Sequence, residues 1–397
     1  MSDNNFLPVL LGGDLNAYSM ARAFYEGFGA VSYVFCEQRL GITDNVEFIS
    51  LHVIPSLSDV NVLVPTMLGL ASEHKDRELI LVPCADWYME ILEFARDRLD
   101  GHFSFNIPDF DIWRIASDKC ATHALFEKFG VSHPRTVSFR ATDGIMSIAS
   151  RLKPPYVLKP AESSLYHKYS FEGKEKVYFT DSLAESARLA RKIFDTGYSG
   201  ALILQERIGS AASRPIASVL TTYSDKAGKV VMAVLADAAL EECAPTARGN
   251  YSALITRPLT PLCRDLINML DRIGYRGFAN FDILTYGGGE VCLEINPRQG
   301  RSCDYLRCAG INIARLLVRD MRADAITPIF EYKKILWRAV PLSVVKRYSH
   351  PSLKASVKEL IGMGRCYSAY APGGSPKRRF YNLAHAIRVR GKFRRYG

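Results

Sequence analysis

The sequence lacks any apolar run of about 18 residues, so it predicts no helix that crosses a membrane. Its amino terminus has acidic and polar residues where a signal peptide would carry positive charge. The nine cysteines and eight histidines are scattered, with no HExxH motif and no Cys-x-x-Cys pair. This scatter argues against a disulfide framework or a zinc site. These absences predict a cytoplasmic protein without a thiolate or imidazole metal centre.

Acidic residues are also absent from the end of the chain. Nine of the 51 Lys and Arg residues follow residue 360, where there is no Asp or Glu, so the first 360 residues carry 42 basic and 41 acidic side chains. A near-neutral body argues against a nucleic-acid groove through the core. The 397 residues, of which 48% are hydrophobic, are enough for two or three domains.

Strands and helices alternate in the first part of the chain. Residues 6–36 read as strand, turn, helix and strand, and 79–83 as a further strand after a helical stretch. This alternation predicts an α/β domain with a parallel sheet over residues 1–110. The turn Gly12-Gly13-Asp14 follows a strand end, where such domains bind ligands. It is not a GxGxxG motif, and a plain helix entry explains it equally well.

The middle of the chain predicts an α+β region over residues 111–326. It opens with the helix SDKCATHALFEKFG, which Ser117 could cap and Gly130 could end. Extended segments at 154–160 and 201–208 enclose an amphipathic helix, and two longer strands follow between residues 218 and 240. Residues 327–397 form a basic carboxyl-terminal extension in this reading.

The segment from Phe278 to Ser302 predicts a β-hairpin that carries two carboxylates. A turn centred on Gly288 would place Asp282 directly opposite Glu294, and like charges in such a pair need a neutralising partner. Asn296 follows on the same strand face. Carboxylate and amide oxygens suit Mg²⁺ better than zinc. The alternative is an ordinary hairpin whose carboxylates are solvated.

Five features occur in the order and approximate spacing of the ATP-grasp enzymes, which the chain resembles over roughly residues 110–325. They are Lys119, Lys159, QERI at 205–208, Asp282 and EINPR at 294–298. The resemblance implies an ATP-grasp fold behind an α/β domain. It also implies ATP and Mg²⁺ as cofactors, with Mn²⁺ as an alternative metal.

The resemblance also implies a role for each charged position. Lys119 and Lys159 would lie along the α- and β-phosphates of ATP as point charges. Asp282, Glu294 and Asn296 would hold Mg²⁺ between the β- and γ-phosphates. The alternatives are a solvated lysine on a helix and a lysine at a strand end.

Backbone groups of four residues would read the adenine in this family. These are Gln205, Glu206, Arg207 and Ile208. Ser163 and Ser164 lie in the loop after the second lysine, which has fewer glycines than is usual, and no acidic residue follows Ile208 to bind the ribose. Arg298 could stabilise the transferred phosphoryl group or an anionic tetrahedral intermediate.

Several segments, including EINPRQGRS, look most like the carboxylate–amine ligases that include the D-aspartate ligases of peptidoglycan cross-bridge synthesis. These enzymes activate a carboxylate as an acyl phosphate and join it to an amine of a cell-wall precursor. Arg248, Arg301 and Ser302 would then lie on the acceptor side. The alternatives are another ATP-grasp amide ligase, such as a dipeptide or small-metabolite ligase, and a non-catalytic nucleotide-sensing or nucleic-acid-binding protein.

The carboxyl-terminal segment predicts a basic amphipathic helix. Phe380, Leu383, Ala384 and Ile387 lie at i, i+3, i+4 and i+7, with arginines largely off that stripe. Such a helix can lie on an anionic membrane surface, here through residues 377–395. The alternatives are a helix docked on the protein's own core and a disordered basic end.

Overall fold

The computed structural model describes residues 5–145, 151–162, 165–166, 168–209, 214–244, 247, 249–371 and 374–397. In these ranges the chain forms three sheets covered by helices. The strands are β1 (Phe6–Leu11), β2 (Ser32–Cys36), β3 (Ile49–Val53), β4 (Glu78–Pro83), β5 (Thr136–Phe139), β6 (Tyr156–Pro160), β7 (Tyr178–Thr180), β8 (Leu202–Glu206), β9 (Ile216–Ser224), β10 (Val230–Glu241), β11 (Tyr251–Arg257), β12 (Gly277–Tyr286), β13 (Gly289–Asn296), β14 (Leu336–Arg338) and β15 (Cys366–Ser368). The helices are α1 (Leu15–Phe28), α2 (Val60–Glu73), α3 (Asp86–Leu99), α4 (Phe110–Ser117), α5 (Lys119–Phe129), α6 (Leu183–Phe194), α7 (Pro261–Ile273), α8 (Asp304–Cys308), α9 (Ile313–Met321), α10 (Leu342–Tyr348), α11 (Lys354–Gly362) and α12 (Pro376–Tyr396).

The first sheet is parallel, with strand order β3-β2-β1-β4. All six residues of β1 are buried, because helices cover both faces of a parallel sheet and the strand is accordingly apolar throughout. The predicted α/β architecture is confirmed, although the sequence analysis missed β3. The Gly12-Gly13-Asp14 turn leads from β1 into α1, where the Asp14 carboxylate accepts a hydrogen bond from the backbone N–H of Asn16 at 3.0 Å.

The second sheet is antiparallel, with order β5-β8-β6-β7. The amphipathic helix predicted between its strands is α6, and the Ser182 hydroxyl caps it by accepting a hydrogen bond from the backbone N–H of Glu185. Buried residues of α6, including Ile193, share a core with Leu158 on β6 and Leu204 on β8.

The third sheet has seven strands in the order β13-β12-β9-β10-β11-β14-β15. Only the last pair, β14 and β15, is parallel within it. The segment after residue 326 contributes β14 and β15 to one end of this sheet, and β14 pairs with β11 from before that residue. The two sides of residue 326 thus share one sheet, and a domain boundary there stays a prediction.

A buried aspartate joins the segment before α4 to the third sheet. Asp320 on α9 accepts hydrogen bonds from the Tyr223 hydroxyl at 2.6 Å and from the Asn106 side-chain amide at 2.7 Å. Its other carboxylate oxygen accepts from the backbone N–H of Lys226 at 3.0 Å. A buried carboxylate needs such partners, because its desolvation would otherwise be costly.

Replacing this aspartate should destabilise the fold. Asp320→Ala leaves the buried Tyr223 hydroxyl without its acceptor and removes the acceptor of the Lys226 backbone N–H, whereas the Asn106 amide keeps the Ser224 carbonyl at 2.9 Å. We expect the free energy of unfolding to fall by about 3 kcal/mol. Urea denaturation of Asp320→Ala and of Asp324→Ala, an exposed neighbour, measures the difference. Equal stability of the two variants would show that the buried network contributes nothing.

Candidate active site

The hairpin β12–β13 places its two carboxylates opposite each other. Tyr286 pairs with Gly289, so the turn consists of Gly287 and Gly288, both with positive φ (59° and 81°). The predicted turn centre on Gly288 is therefore wrong by half a residue. A β-bulge after Asp282 shifts the register by one residue on β13 and restores the predicted pair of Asp282 and Glu294.

Each of the paired carboxylates also has a partner of its own. The Tyr251 hydroxyl donates to Asp282 Oδ1 at 2.6 Å, and the Asn296 side-chain amide donates to Asp282 Oδ2 at 3.3 Å. Glu294 Oε2 lies 3.6 Å from Lys119 Nζ. Two carboxylates, an amide and a cation thus converge on one face of the hairpin, as the strand alternation predicts.

The two predicted lysines lie beside this pair. Lys119 is the first residue of α5, whose cap is Asp118, with Asp118 Oδ1 accepting from the backbone N–H of Cys120 at 2.7 Å. The prediction that Ser117 caps this helix is wrong, because Ser117 is the last residue of α4. Lys159 is buried near the end of β6, and burial lowers its pKa to about 8 against the attraction of Glu294.

The carboxylate pair holds one proton near neutral pH. Burial and the neighbouring Glu294 raise the pKa of Asp282 to about 7. Burial also opposes ionisation of Glu294, but the ammonium groups of Lys119 and Lys159 outweigh it and hold the pKa of Glu294 well below its ordinary value. In the metal-free chain, a proton on one carboxyl group and lysines beside the other therefore offset the repulsion.

The oxygen donors of this site suit a hard divalent cation whose remaining ligands come from a substrate. The described ranges contain no group of three or more His, Cys, Asp or Glu side chains suited to a metal ion. The protein therefore offers two carboxylates and the Asn296 amide, all with oxygen donors. Such a set leaves coordination positions for phosphate oxygens, which is how Mg²⁺ is held in many phosphoryl-transfer sites.

Both carboxylates and both lysines line a cleft of about 670 Å³. One wall comes from the four-stranded sheet through Lys159, and the other from the seven-stranded sheet through Tyr251 and Asp282. Residues of α12, including Phe393 and Tyr396, line the same cleft. A cleft between two sheets, with cations and carboxylates at its base, suits a polyphosphate with an apolar base attached.

The four residues predicted to face adenine also line the cleft. The side chain of Gln205 is buried and donates to a threonine hydroxyl on β5 at 3.0 Å, while Glu206 accepts from a backbone N–H before β6 at 2.9 Å. The Arg207 guanidinium lies 4.7 Å from the centre of the Phe179 ring. Ile208 has a backbone N–H with no hydrogen-bond partner in the described part of the chain. The side chains of Gln205, Glu206 and Arg207 thus contact the protein, and the backbone N–H of Ile208 remains for a ligand.

Arg298 lies where the first domain meets the large sheet. Its guanidinium forms a two-pronged ion pair with Asp86 at 2.6 and 2.9 Å. The Asn16 side-chain amide donates to the carbonyls of Cys84 and Gln299 at 3.0 Å each. These hydrogen bonds connect the parallel sheet region to the segment after β13, close to the Arg298–Asp86 ion pair. Asp86 is the first residue of α3, which begins shortly after β4 ends. The carboxyl-terminal edge of the parallel sheet therefore lies next to Arg298.

The remaining predicted substrate residues are placed less uniformly. Ser302 is buried, whereas Arg301 is exposed and has no ion pair or hydrogen bond in the described ranges. Arg301 is close enough to Asp14 to lower its pKa, although burial has the larger effect and raises it. The other predicted positions lie outside the described residues; they are Arg248, Ser163 and Ser164.

Sequence reasoning missed several residues of this site. Tyr251 lies on β11, three positions from β12 in the strand order, so no local pattern connects it to Asp282. Asp86 also lacks a local signal, because its partner Arg298 is 212 residues away. Glu241 and Glu242 also line the cleft, so it contains acidic side chains although the sequence places none directly after Ile208. The only sequence feature that could have indicated them is their position at the end of a long predicted strand.

The two carboxylates should affect metal-free stability with opposite signs. At about pH 8, Asp282→Asn removes a charge that the folded state disfavours, and we expect the free energy of unfolding to rise by about 1 to 2 kcal/mol. Glu294→Gln removes a charge that the lysines favour, and should lower it. The effect of Asp282→Asn should fade as pH falls to about 4, because that carboxyl group is then largely protonated in both states. The effect of Glu294→Gln should persist at pH 4, because the folded chain holds the pKa of Glu294 well below its ordinary value.

Urea denaturation with a metal chelator at both pH values measures these differences. Asp265→Asn, on the exposed side of α7, is the matched control and should change stability by less than about 0.5 kcal/mol. Stabilisation by both variants, or by neither, would contradict the one-proton state of the pair.

Comparison with known proteins agrees with this geometry. No protein-family model matches the chain. It is 28% identical over 365 residues to the D-aspartate ligase of Enterococcus faecium (strain Aus0004), which covers 88% of this chain and 86% of that protein.

Two solved structures have the same fold. The ADP complex of N5-carboxyaminoimidazole ribonucleotide synthetase matches with a TM-score of 0.61 and 14% identity, over 90% of this chain and 86% of that chain. The biotin carboxylase domain of Hydrogenobacter thermophilus 2-oxoglutarate carboxylase, solved with MgADP and bicarbonate, matches with a TM-score of 0.63 and 16% identity over 83% and 72% of the two chains. The chain therefore has the predicted ATP-grasp fold and is a homologue of the D-aspartate ligase of Enterococcus faecium over most of its length.

Proposed function

We propose that the chain activates the β-carboxylate of D-aspartate with ATP and joins it to the side-chain amine of a peptidoglycan precursor stem peptide. The observation that carries this proposal is the Asp282–Glu294 pair, flanked by Lys119 and Lys159 in one cleft. The identity of the amino acid follows from the name of the homologous ligase. The amine acceptor follows from the resemblance of the motifs.

In the proposed site, Asp282, Glu294 and Asn296 hold Mg²⁺. The bound cation would neutralise phosphate charge and orient the γ-phosphoryl group. A coordinating carboxylate must be ionised, so Asp282 would hold the metal in its deprotonated form. The Tyr251 hydroxyl, which donates to Asp282 Oδ1 at 2.6 Å, would orient this carboxylate.

The lysines bind the phosphates as point charges. Burial lowers the pKa of Lys159 to about 8, and a neighbouring phosphate anion would restore its fully charged form. A metal bound to Glu294 would weaken the electrostatic attraction between that carboxylate and Lys119, and the Lys119 ammonium group could then interact with a phosphate. The empty cleft is therefore balanced by the proton on Asp282 and the lysines beside Glu294, and it would remain balanced if nucleotide and metal entered together.

Two steps then form the amide. A carboxylate oxygen of the amino acid forms a bond to the γ-phosphorus while the bridging P–O bond breaks and ADP leaves. The amine next attacks the acyl carbon, the C–N bond forms, and phosphate leaves as the amine loses a proton. Arg298, oriented by Asp86, would donate hydrogen bonds to the oxygen that becomes negative in the second step.

We place this reaction in the cytoplasm, with peripheral membrane contact through residues 377–395. No helix in the described ranges is long and apolar enough to span a bilayer. Arg301 and Ser302 remain proposed contacts on the acceptor side.

A substrate panel tests the proposal. The protein is incubated with Mg·ATP and D- or L-amino acids, with and without a lysine-containing muropeptide, and phosphate release and product mass are measured. We expect turnover that depends on D-aspartate and a product heavier by one aspartyl residue. Mn²⁺ should substitute for Mg²⁺. Asp282→Asn should lower turnover about a hundredfold or more, while Asp265→Asn stays near the wild-type rate.

Two outcomes would contradict the proposal. Amide formation with a different pair of substrates would identify another ATP-grasp amide ligase. The absence of ATP turnover with every pair would identify a non-catalytic nucleotide-binding protein.

A further inference from the structure

The carboxyl-terminal helix α12 has one face docked on the protein. Val389 and Phe393 are buried in a core that includes Leu240 of β10. At the other end, the buried Arg378 guanidinium donates to the carbonyls of Gly41 and Ile42 at 2.9 and 2.8 Å. The helix is thus part of the fold along its whole length.

The opposite face of α12 carries the predicted apolar stripe, and the protein leaves it uncovered. Phe380 is 73% exposed, Leu383 59% and Ile387 60%, and Ala384 between them is also exposed. At about 100° per residue these four side chains lie on one side of the helix, roughly opposite Val389 and Phe393. The helix thus docks on the protein's core with one face and presents the predicted apolar stripe outward on another.

Exposed basic side chains border this apolar stripe along both edges. On the helical wheel, Lys377, Arg388 and Arg395 lie on one edge, and Arg379 and Arg390 on the other. The helix contains no acidic residue. An uncovered apolar strip between two rows of cations is complementary to a surface with anionic headgroups above a hydrocarbon layer.

We propose that the apolar stripe of α12 docks the protein on an anionic lipid surface. The proposal rests in part on the proposed function, since an acceptor completed at the membrane favours a lipid surface over a second protein. Its geometric basis is independent of the reaction, because the stripe and its basic borders are present whatever the substrate is. A nucleic acid would match the cations but would leave the apolar strip unused.

Docking in this way would set the orientation of the active site. Phe393, Tyr396 and Gly397 on the docked side of α12 line the nucleotide cleft. The same helix thus touches the cleft with one face and the lipid surface with the other. A lipid-attached amine acceptor would then reach the cleft by diffusion along the surface, which raises its effective concentration.

Full-length protein and vesicles provide the test. We expect co-sedimentation with vesicles that contain phosphatidylglycerol but not with pure phosphatidylcholine vesicles, and release by added salt. The triple variant Phe380→Ser, Leu383→Ser, Ile387→Ser should weaken binding about tenfold or more while keeping ATP turnover on soluble substrates. Its control is Phe94→Ser with Met363→Ser, which removes two hydrophobic side chains that are 67% and 57% exposed elsewhere.

A charge series tests the basic borders in the same assay. Each of Lys377→Gln, Arg379→Gln and Arg395→Gln should weaken vesicle binding about fivefold. The matched controls are Lys75→Gln, Arg98→Gln and Lys358→Gln, which remove exposed charges outside the helix. These should leave binding unchanged if the attraction is local to α12.

A variant that enlarges the apolar stripe complements these losses, with unchanged ATP turnover on soluble substrates as the check on its fold. Gly391 lies on the line of the stripe, and a Cβ added there meets nothing within 4 Å. Gly391→Leu should therefore extend the apolar surface and tighten vesicle binding several-fold.

Several results would overturn the proposal. Absence of vesicle binding, or equal loss in the control variants, would exclude a lipid-docking role while D-aspartate-dependent turnover stood unaffected. Self-association that the triple variant abolishes would identify the stripe as an interface between copies of the chain. Oligonucleotide binding that survives the triple variant, without vesicle binding, would identify a nucleic-acid surface. Conversely, vesicle binding without ligase activity would contradict the proposed function alone.

Discussion

Repulsion between two carboxylates, placed opposite each other on a β-hairpin, is the constraint that the other groups of the candidate active site offset. Asp282 and Glu294 face each other because a β-bulge shifts the register that the two-residue glycine turn would otherwise impose. Such a pair destabilises a sheet unless a counter-charge is present. In the metal-free chain a proton and two lysines supply it, and in the proposed complex a divalent cation does. The site is therefore poised between two charge-balanced states.

The position of this pair relative to the first domain is fixed by polar contacts rather than by the hairpin itself. The Asn16 amide bridges the carbonyls of Cys84 and Gln299, and Asp86 holds Arg298 in a two-pronged ion pair. Both contacts lie at the carboxyl ends of parallel strands, the edge where α/β sheets bind ligands. A second substrate at that edge would meet the cleft directly.

Much of this arrangement could be predicted from the sequence, because its determinants are local. Alternation along two strands sets which side chains share the hairpin face, and apolar strands separated by helices predict the parallel sheet. The half-residue error in the turn had no consequence, since the bulge compensated for it. The bulge itself left no pattern in the sequence. Tyr251 and Asp86 were not predicted, because each meets its partner only through the packing of distant elements.

The carboxyl-terminal helix illustrates the same limit. Its apolar stripe was visible as a helical period, whereas its docked face depends on two side chains, Val389 and Phe393, that fit a core built by other strands. Apolar residues on opposite sides of a helix partly cancel in any periodicity analysis. One face of this helix is therefore buried in the core, and the other is exposed to solvent.

The proposed reaction requires phosphorylation of a carboxylate, and oxygen transfer from that carboxylate to phosphate measures this step directly. D-Aspartate labelled with ¹⁸O in its β-carboxylate is turned over with ATP and the amine acceptor, and the released phosphate is analysed by mass spectrometry. We expect one ¹⁸O atom in each phosphate released, because the acyl–oxygen bond breaks when the amide forms. Amide formation with unlabelled phosphate would show that the carboxylate is not activated as an acyl phosphate.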